Sequence, residues 1–214
     1  MKYIRFIFFL LLSAGLIFVL DSRSVLPLPL GKFLSVQEGI WQNAEPVNAS
    51  YNDDIKLKGL EGKAEVYFDD RLVPHIFAEK ENDAYFVQGY LHAKFRLWQM
   101  EFQTHAAAGR ISEIVGEKAI NFDKTQRRIG MVFAAENALG EIEKDPVSKA
   151  AVDAYTSGIN QYINSLQASE LPVEYKLLGY QPEAWTNLKT ALAHSRFLQA
   201  LRSFGDGPSV SSPL

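Results

Sequence analysis

The sequence predicts an α+β chain that is mainly helical, with a few short strands confined to residues 55–78. Three observations predict it. Apolar residues recur at steps of three and four along 82–108, the spacing that stacks side chains on one side of an α-helix. Between Ile55 and Phe77 the period falls to two, as in half-buried strands. Beyond residue 108, glycines and prolines at Gly109, Gly116, Pro146, Pro172 and Gly179 punctuate a series of shorter helical stretches. With 214 residues and 47% hydrophobic composition the chain can build a substantial core. Its net charge of -3 comes from nearly balanced signs, and the absence of a basic block argues against nucleic acid as a partner. There is no cysteine, which removes disulfides, a thiolate nucleophile and a cysteine metal site.

Taken in order, Lys2 and Arg5 precede an apolar run from Phe6 to Leu20 that is followed by Asp21 and Arg23. That is the arrangement of a signal peptide or a membrane anchor over residues 1–20. The run rises about 22 Å as a helix, short of a bilayer's roughly 30 Å core, so length favours a signal. The poor cleavage sequence at Asp21 to Ser24 keeps the anchor open. Either way the remainder is expected to be exported, periplasmic or held on the outer side of the cytoplasmic membrane. Residues 21–54 read as a lead-in, extended around Pro27, Pro29 and Gly31, with a short helical stretch at Phe33 to Trp41. From Ile55 a hairpin is expected, with Ile55 and Leu57 facing Ala64, Val66 and Phe68 across a Gly59 to Gly62 turn, and Val73 to Phe77 as a further strand. Asp69 and Asp70 read as a solvated turn and not as an acid pair. His75 has no visible acid or nucleophile beside it, and a structural role is expected.

The helix over 82–108 is the longest and most aromatic element. Ala84, Val87, Leu91, Phe95, Trp98 and Phe102 form its buried face, and Tyr85, Phe86, Tyr90, Leu97 and Met100 widen the apolar surface almost to a full turn. The rest of the chain is expected to leave three or four of Phe86, Tyr90, Phe95, Leu97 and Met100 uncovered. His92, Arg96, Gln99 and Gln103 make a narrow polar seam without a second histidine or carboxylate at ligand spacing, so no metal site is expected there. Arg96 needs a buried partner, with Asp69, Asp70 and Glu101 as the acids near it. Asn82 is the expected N-cap and Gly109 the terminator. Arg110 and Glu113 then stand one helical turn apart before Gly116. A single helix is expected over Asp123 to Leu139, packed through Ile129, Val132, Phe133 and Ala135. Asp145 and Pro146 open another that runs to about Leu166, with Val147, Ala151, Ala154, Ile159, Tyr162 and Ile163 inward. After a short piece from Pro172 to Gly179, Trp185 anchors the chain and a last helix starts at Thr186. Residues 55–204 thus read as one mainly helical domain, and 205–214 as a disordered tail of Gly, Pro and Ser.

Several runs in this chain match a family pattern: VPHIFA at 73–78, DAYFVQGYLHA at 83–93, RLWQME at 96–101, AAAGRISEIVG at 106–116 and LLGYQPEAWT at 177–186. Over about residues 60–190 the chain resembles the N-terminal part of the penicillin amidase (penicillin acylase) family of N-terminal-nucleophile hydrolases. It departs from the pattern at Leu72, where glycine is common, and the likeness is lost after about Leu192. The resemblance implies an αββα hydrolase fold, of which this is the mainly helical portion. It also implies cleavage of linear amide (N-acyl) bonds by an N-terminal side-chain oxygen, activated by its own α-amine with a pKa near 8. That nucleophile belongs to a C-terminal catalytic (beta) chain. This part would frame the pocket for a small acyl-amide substrate and be inactive alone. No residue here is expected to be catalytic, Ser209, Ser211 and Ser212 included. His75, His92, Arg96, Gln99, Arg110 and Trp185 are expected to be structural. No metal or cofactor is expected in this part, while the intact family enzyme brings in calcium. The alternative is a membrane-tethered helical binding or structural protein that has kept the fold and lost the enzymatic half.

Overall fold

Residues 2–22, 30–31, 43–44 and 54–205 are described by the computed structural model. The expected helical stretch at 33–41 and the tail with Ser209, Ser211 and Ser212 lie outside the described residues. In chain order the elements are helix α1 (Lys2–Asp21), strands β1 (Ala64–Phe68) and β2 (Pro74–Ala78), and helices α2 (Glu81–Ala108) and α3 (Ser112–Val115). They continue with α4 (Ile120–Ile129), α5 (Met131–Ile142), α6 (Pro146–Ser165), α7 (Val173–Leu178) and α8 (Asn187–Gly205). The chain divides into two units, residues 1–50 with 166–182, and residues 51–165 with 183–214. The first thus includes a stretch that the sequence placed inside the 55–204 domain.

In the first unit, α1 is apolar and nowhere buried, and its 19 residues from Tyr3 to Asp21 have the length and composition of a membrane span. The 20-residue helix is longer than its purely apolar run and rises about 30 Å. It reaches that length only by including Lys2, Arg5 and Asp21, and a signal sequence near the N-terminus has the same length and composition. In the same unit α7 stops at Gly179, whose φ of 63° is the left-handed conformation a helix end favours. Tyr180 then folds back to stack on Tyr175, with ring centroids 6.1 Å apart.

The second unit is built on α2 and α6. At their crossing the two backbones touch: a Cβ on Gly158 would lie 1.9 Å from the Phe86 carbonyl oxygen, and one on Gly89 2.1 Å from that of Tyr155. This approach covers more of α2 than the sequence led us to expect. Phe86 and Leu97 are buried at 4% and 2% exposure, Tyr90 and Met100 are half-buried, and of the five doubtful residues only Phe95 stays exposed, at 44%. Around the second half of α2 the contacts are again made through small side chains. Ala107 packs with Met131 and Ala135 of α5 and with Ala191 and Leu192 of α8.

Several local expectations are corrected. The hairpin is β1 with β2, antiparallel with Val66 opposite Ile76, and Ile55 to Leu57 form no strand. The reason lies in the turn. Asp69 Oδ1 accepts the Arg71 and Val73 amides at 2.9 and 2.8 Å, which folds 64–68 directly onto 74–78. Leu72 in this turn has φ 60°, the one positive φ outside glycine among the described residues. Helix α2 begins at Glu81 without a side-chain cap, so Asn82 is not its N-cap. The buried Asp83 carboxylate instead accepts the Glu61 and Gly62 amides at 2.9 and 2.7 Å, which fastens the loop before β1 to the helix. Asp123 to Leu139 is two helices, because Gly130 at φ 76° ends α4 and redirects the chain. That turn leaves Ile129 and Phe133 outside the core, at 49% and 70% exposure, and Val147 at the start of α6 is also outward, at 67%.

Candidate functional site

Glu101 and His105 stand four residues apart on α2, one turn on the same face, and both are 1% exposed. Glycine 109, at φ 66°, then turns the chain so that Arg110 swings back along the helix end. The segment leading into α8 completes the group. The Glu183 amide donates to Glu101 Oε1 at 2.8 Å, and Lys189 Nζ lies 3.5 Å from the same oxygen. Glu183 Oε1 accepts from Arg110 at 2.7 Å, and its Oε2 is 3.0 Å from Lys189 Nζ. Arg110 also holds Glu113 at 2.6 Å. His105 Nδ1 is 3.0 Å from the Glu101 carbonyl oxygen, which can only accept, so this nitrogen carries the proton. The other ring nitrogen faces Glu183 Oε1 at 3.8 Å. The Arg110 hydrogen bonds, opposed by burial and helped by Lys189, pull the Glu183 carboxyl down to about 2. Hydrogen bonds from Arg110 to Glu113 and Glu183 raise the guanidinium above its ordinary value.

Donor atoms of Glu101, His105 and Glu183 lie within 4.8 Å of one another, which is metal-ligand spacing. The cation seats are already taken by the protein's own ammonium and guanidinium, and a divalent ion would meet two positive neighbours at contact range. A hard cation such as calcium also prefers an all-oxygen shell. These residues therefore do not fit the calcium that the resemblance assigns to the intact enzyme.

Trp185 stands beside this group, 3% exposed. Its amide donates to Asn160 Oδ1 at 2.8 Å, its carbonyl accepts from Asn160 Nδ2 at 2.9 Å, and its indole donates to Thr190 Oγ1 at 2.9 Å. Arg110 and Trp185 are thus brought into one neighbourhood, joining the 106–116 and 177–186 runs of the sequence. The other four singled-out residues are elsewhere. His75 lies 3.5 Å from Asp69 Oδ2, an acid partner that sequence reading did not give it. His92 Nδ1 is 2.8 Å from the Tyr155 hydroxyl. Burial lowers His92 and pushes Tyr155 up to about 12, so the phenol stays protonated at neutral pH and is no nucleophile. Arg96 is exposed, at a break in α2 with φ -141° and ψ 17°, and donates to Gln99 Oε1 at 3.0 Å. Among the described residues it makes no ion pair, which corrects the buried pair with Asp69, Asp70 or Glu101. On the solvent side the guanidinium needs none, and Glu101 is turned inward to Lys189.

His105, Glu183 and Lys189 were missed by the sequence reading, which gave Glu101 only as an acid near Arg96. A four-residue Glu and His spacing was visible on the helix, but the bond between Glu101 and Glu183 spans 82 residues and has no local signature. A polar cleft of about 670 Å³ opens between the first turn of α2 and α6, with Asn82, Asp153, Ser157 and Gln161 in its wall. Ser157 Oγ donates to the Asp153 carbonyl at 2.8 Å, and among the described residues no imidazole or amine is bonded to it that could activate it.

Comparison with known proteins places these features. The family model for penicillin amidase matches residues 63–207, running past Leu192 where the sequence reading ended the likeness. Penicillin acylase 2 proenzyme of Pseudomonas sp. (strain SE83) is 38% identical over 134 residues, covering 61% of this chain and 16% of that protein. An acyl-homoserine lactone acylase (QuiP) of Pseudomonas fluorescens is 33% identical over 160 residues, covering 74% of this chain and 18% of that protein. Among solved structures, thermostable penicillin G acylase from Alcaligenes faecalis superposes with a TM-score of 0.61 at 22% identity, over 70% of this chain and 78% of that chain. The chain spans about 16–18% of the length of these curated relatives.

Proposed function

Because the chain belongs to the penicillin amidase family, we propose that it supplies the helical, pocket-framing part of an amidohydrolase that cleaves linear N-acyl bonds. The substrates would be small acyl amides of the penicillin or acyl-amine type, in keeping with relatives named as penicillin and acyl-homoserine lactone acylases. One observation carries this reading. Two of the family-like runs, 106–116 and 177–186, meet in a partly buried, mutually neutralising cluster, Glu101, His105, Arg110, Glu183 and Lys189, whose groups are engaged in holding the end of α2 to the segment that leads into α8. Such a cluster fixes a frame and offers no nucleophile. The attacking group would belong to a catalytic (beta) chain corresponding to parts of the relatives that this chain does not span, and the name "proenzyme" of one relative agrees with a two-chain product. Helix α1 would act as an export signal or anchor, which puts the protein on the outer side of the cytoplasmic membrane.

The test is hydrolysis of phenylacetyl and fatty-acyl amides by the purified chain, alone and after co-expression with the catalytic chain of a relative. No turnover alone and turnover together is the expected result. Turnover that follows the chain by itself through purification would place a nucleophile within it and overturn the reading.

A further inference from the structure

A second cleft, of about 690 Å³, lies on the hairpin side of the first half of α2. It falls in the range of roughly 300–1,000 Å³ in which clefts hold small ligands. Its floor is apolar: Leu57, Leu60, Val66, Val87 and Leu91 contribute to it, the last two buried at 4% and 8% exposure. Phe68, at one end of β1, sets its ring edge-on against Phe95 with centroids 6.1 Å apart. The rim differs in character. Lys56, Lys63 and Lys94 stand there with Asp54 and Glu65. Lys63 is paired with Glu65 at 2.5 Å, and Tyr67 donates to the other oxygen of that carboxylate at 3.0 Å. Neither Lys56 nor Lys94 forms an ion pair among the described residues. Among the described residues Asp54 alone stands against them, which leaves the described rim with one ammonium group in excess.

From this apolar floor under an unneutralised cationic rim we infer that the cleft binds a single-chain anionic amphiphile, a long-chain carboxylate. The alkyl chain lies along Val66, Val87 and Leu91, and the carboxylate meets Lys94 and Lys56. A neutral apolar ligand would leave both ammonium groups without a counter-ion, Lys94 having only the Phe95 ring 5.9 Å away, and a cationic amphiphile would be repelled by them. The site is separate from the Glu183 cluster, and it stands or falls independently of the amide-hydrolase reading.

The apolar helix α1 would itself attract a fatty acid, so the test must locate the ligand as well as detect it. Dodecanoate carrying a photoactivatable diazirine is crosslinked to the full chain and the labelled peptides are mapped by mass spectrometry, with unlabelled dodecanoate and dodecyltrimethylammonium as competitors. The expected result is saturable labelling within 54–68 and 87–94. Dodecanoate should compete, the cationic surfactant should compete at least about tenfold less well, and a Lys56→Glu, Lys94→Glu double variant should bind about tenfold more weakly with unchanged far-ultraviolet circular dichroism. Labelling confined to residues 2–21, equal competition by the cation, or unchanged affinity of the double variant would overturn the inference. So would hydrogen-exchange protection, in the ligand-free chain, of the β1 amides that do not bond to β2, because a polypeptide strand would then fill the cleft.

Discussion

Leu72 occupies a backbone conformation that residues other than glycine and asparagine seldom adopt, and its side chain is 58% exposed, so little packing offsets the strain. The left-handed region costs such a residue about 1–2 kcal/mol, part of which glycine would give back as chain entropy in the unfolded state. Leu72→Gly should therefore stabilise the protein by about 1 kcal/mol, read as a raised urea midpoint with an unchanged slope. Glu183 makes a second prediction. Its carboxyl titrates near 2 in the folded chain against an ordinary value of 4.5, so its contribution is complete above about pH 4.5 and is lost as pH falls through 2. A third of the side chain faces water, and after screening that contribution is about 1–2 kcal/mol. Glu183→Gln should lower stability at pH 7 by that amount and flatten its decline between pH 4.5 and 2, as followed by urea denaturation at a series of pH values. Arg96→Ala, by contrast, should cost under about 1 kcal/mol, because its hydrogen bond to Gln99 is exposed. What a sequence shows of such residues depends on the span of their partnerships. Arg110 with Glu113 was legible because three residues separate them, whereas Glu101 with Lys189 was not.

At the level of elements, the crossing of α2 and α6 depends on two glycines within helical runs. Replacing either by alanine would gain helix propensity in isolation, yet at Gly158 the added carbon would lie 1.9 Å from a backbone oxygen that no side-chain movement can clear. Gly158→Ala should cost about 3 kcal/mol or more, and Gly89→Ala a similar amount, seen as a drop in the thermal midpoint. Gly140→Ala is the control: among the described residues nothing lies within 4 Å of the added carbon, so it should be neutral or slightly stabilising. The same residue type explains both what was read correctly and what was not. Gly109, Gly116 and Gly179 end helices where the apolar period also stops, so two signals agreed. Gly130 breaks a run whose period continues, and Gly89 and Gly158 sit within unbroken runs. Sequence alone does not distinguish a glycine that ends a helix from one that admits a neighbour. The strand pairing failed for a related reason, since alternation locates strands but the partner was chosen by the Asp69 turn.

For the whole molecule, α1 sets the first question, because among the described residues nothing buries this apolar helix, and apolar surface of that extent favours association. A periplasm-dependent reporter fused after Pro46 should be active outside the cytoplasmic membrane, and removal of Met1 to Leu20 should keep it inside. Cytoplasmic activity of the full-length fusion would contradict the export reading. The family and the helical class were legible because the matching runs are long and local. The arrangement of the frame was not, because it depends on backbone contact between α2 and α6 and on charges far apart in the chain. The 82 residues that separate Glu101 from Glu183 also impose an order in time. At about 5–20 residues per second, the ribosome releases Glu183 roughly 4–16 s after Glu101. Throughout that interval the inward face of α2 carries a carboxylate and an imidazole whose distant partners, Glu183 and Lys189, have not yet been synthesised. The longest helix of the second unit is therefore among the first parts of it to be made and among the last to be finished.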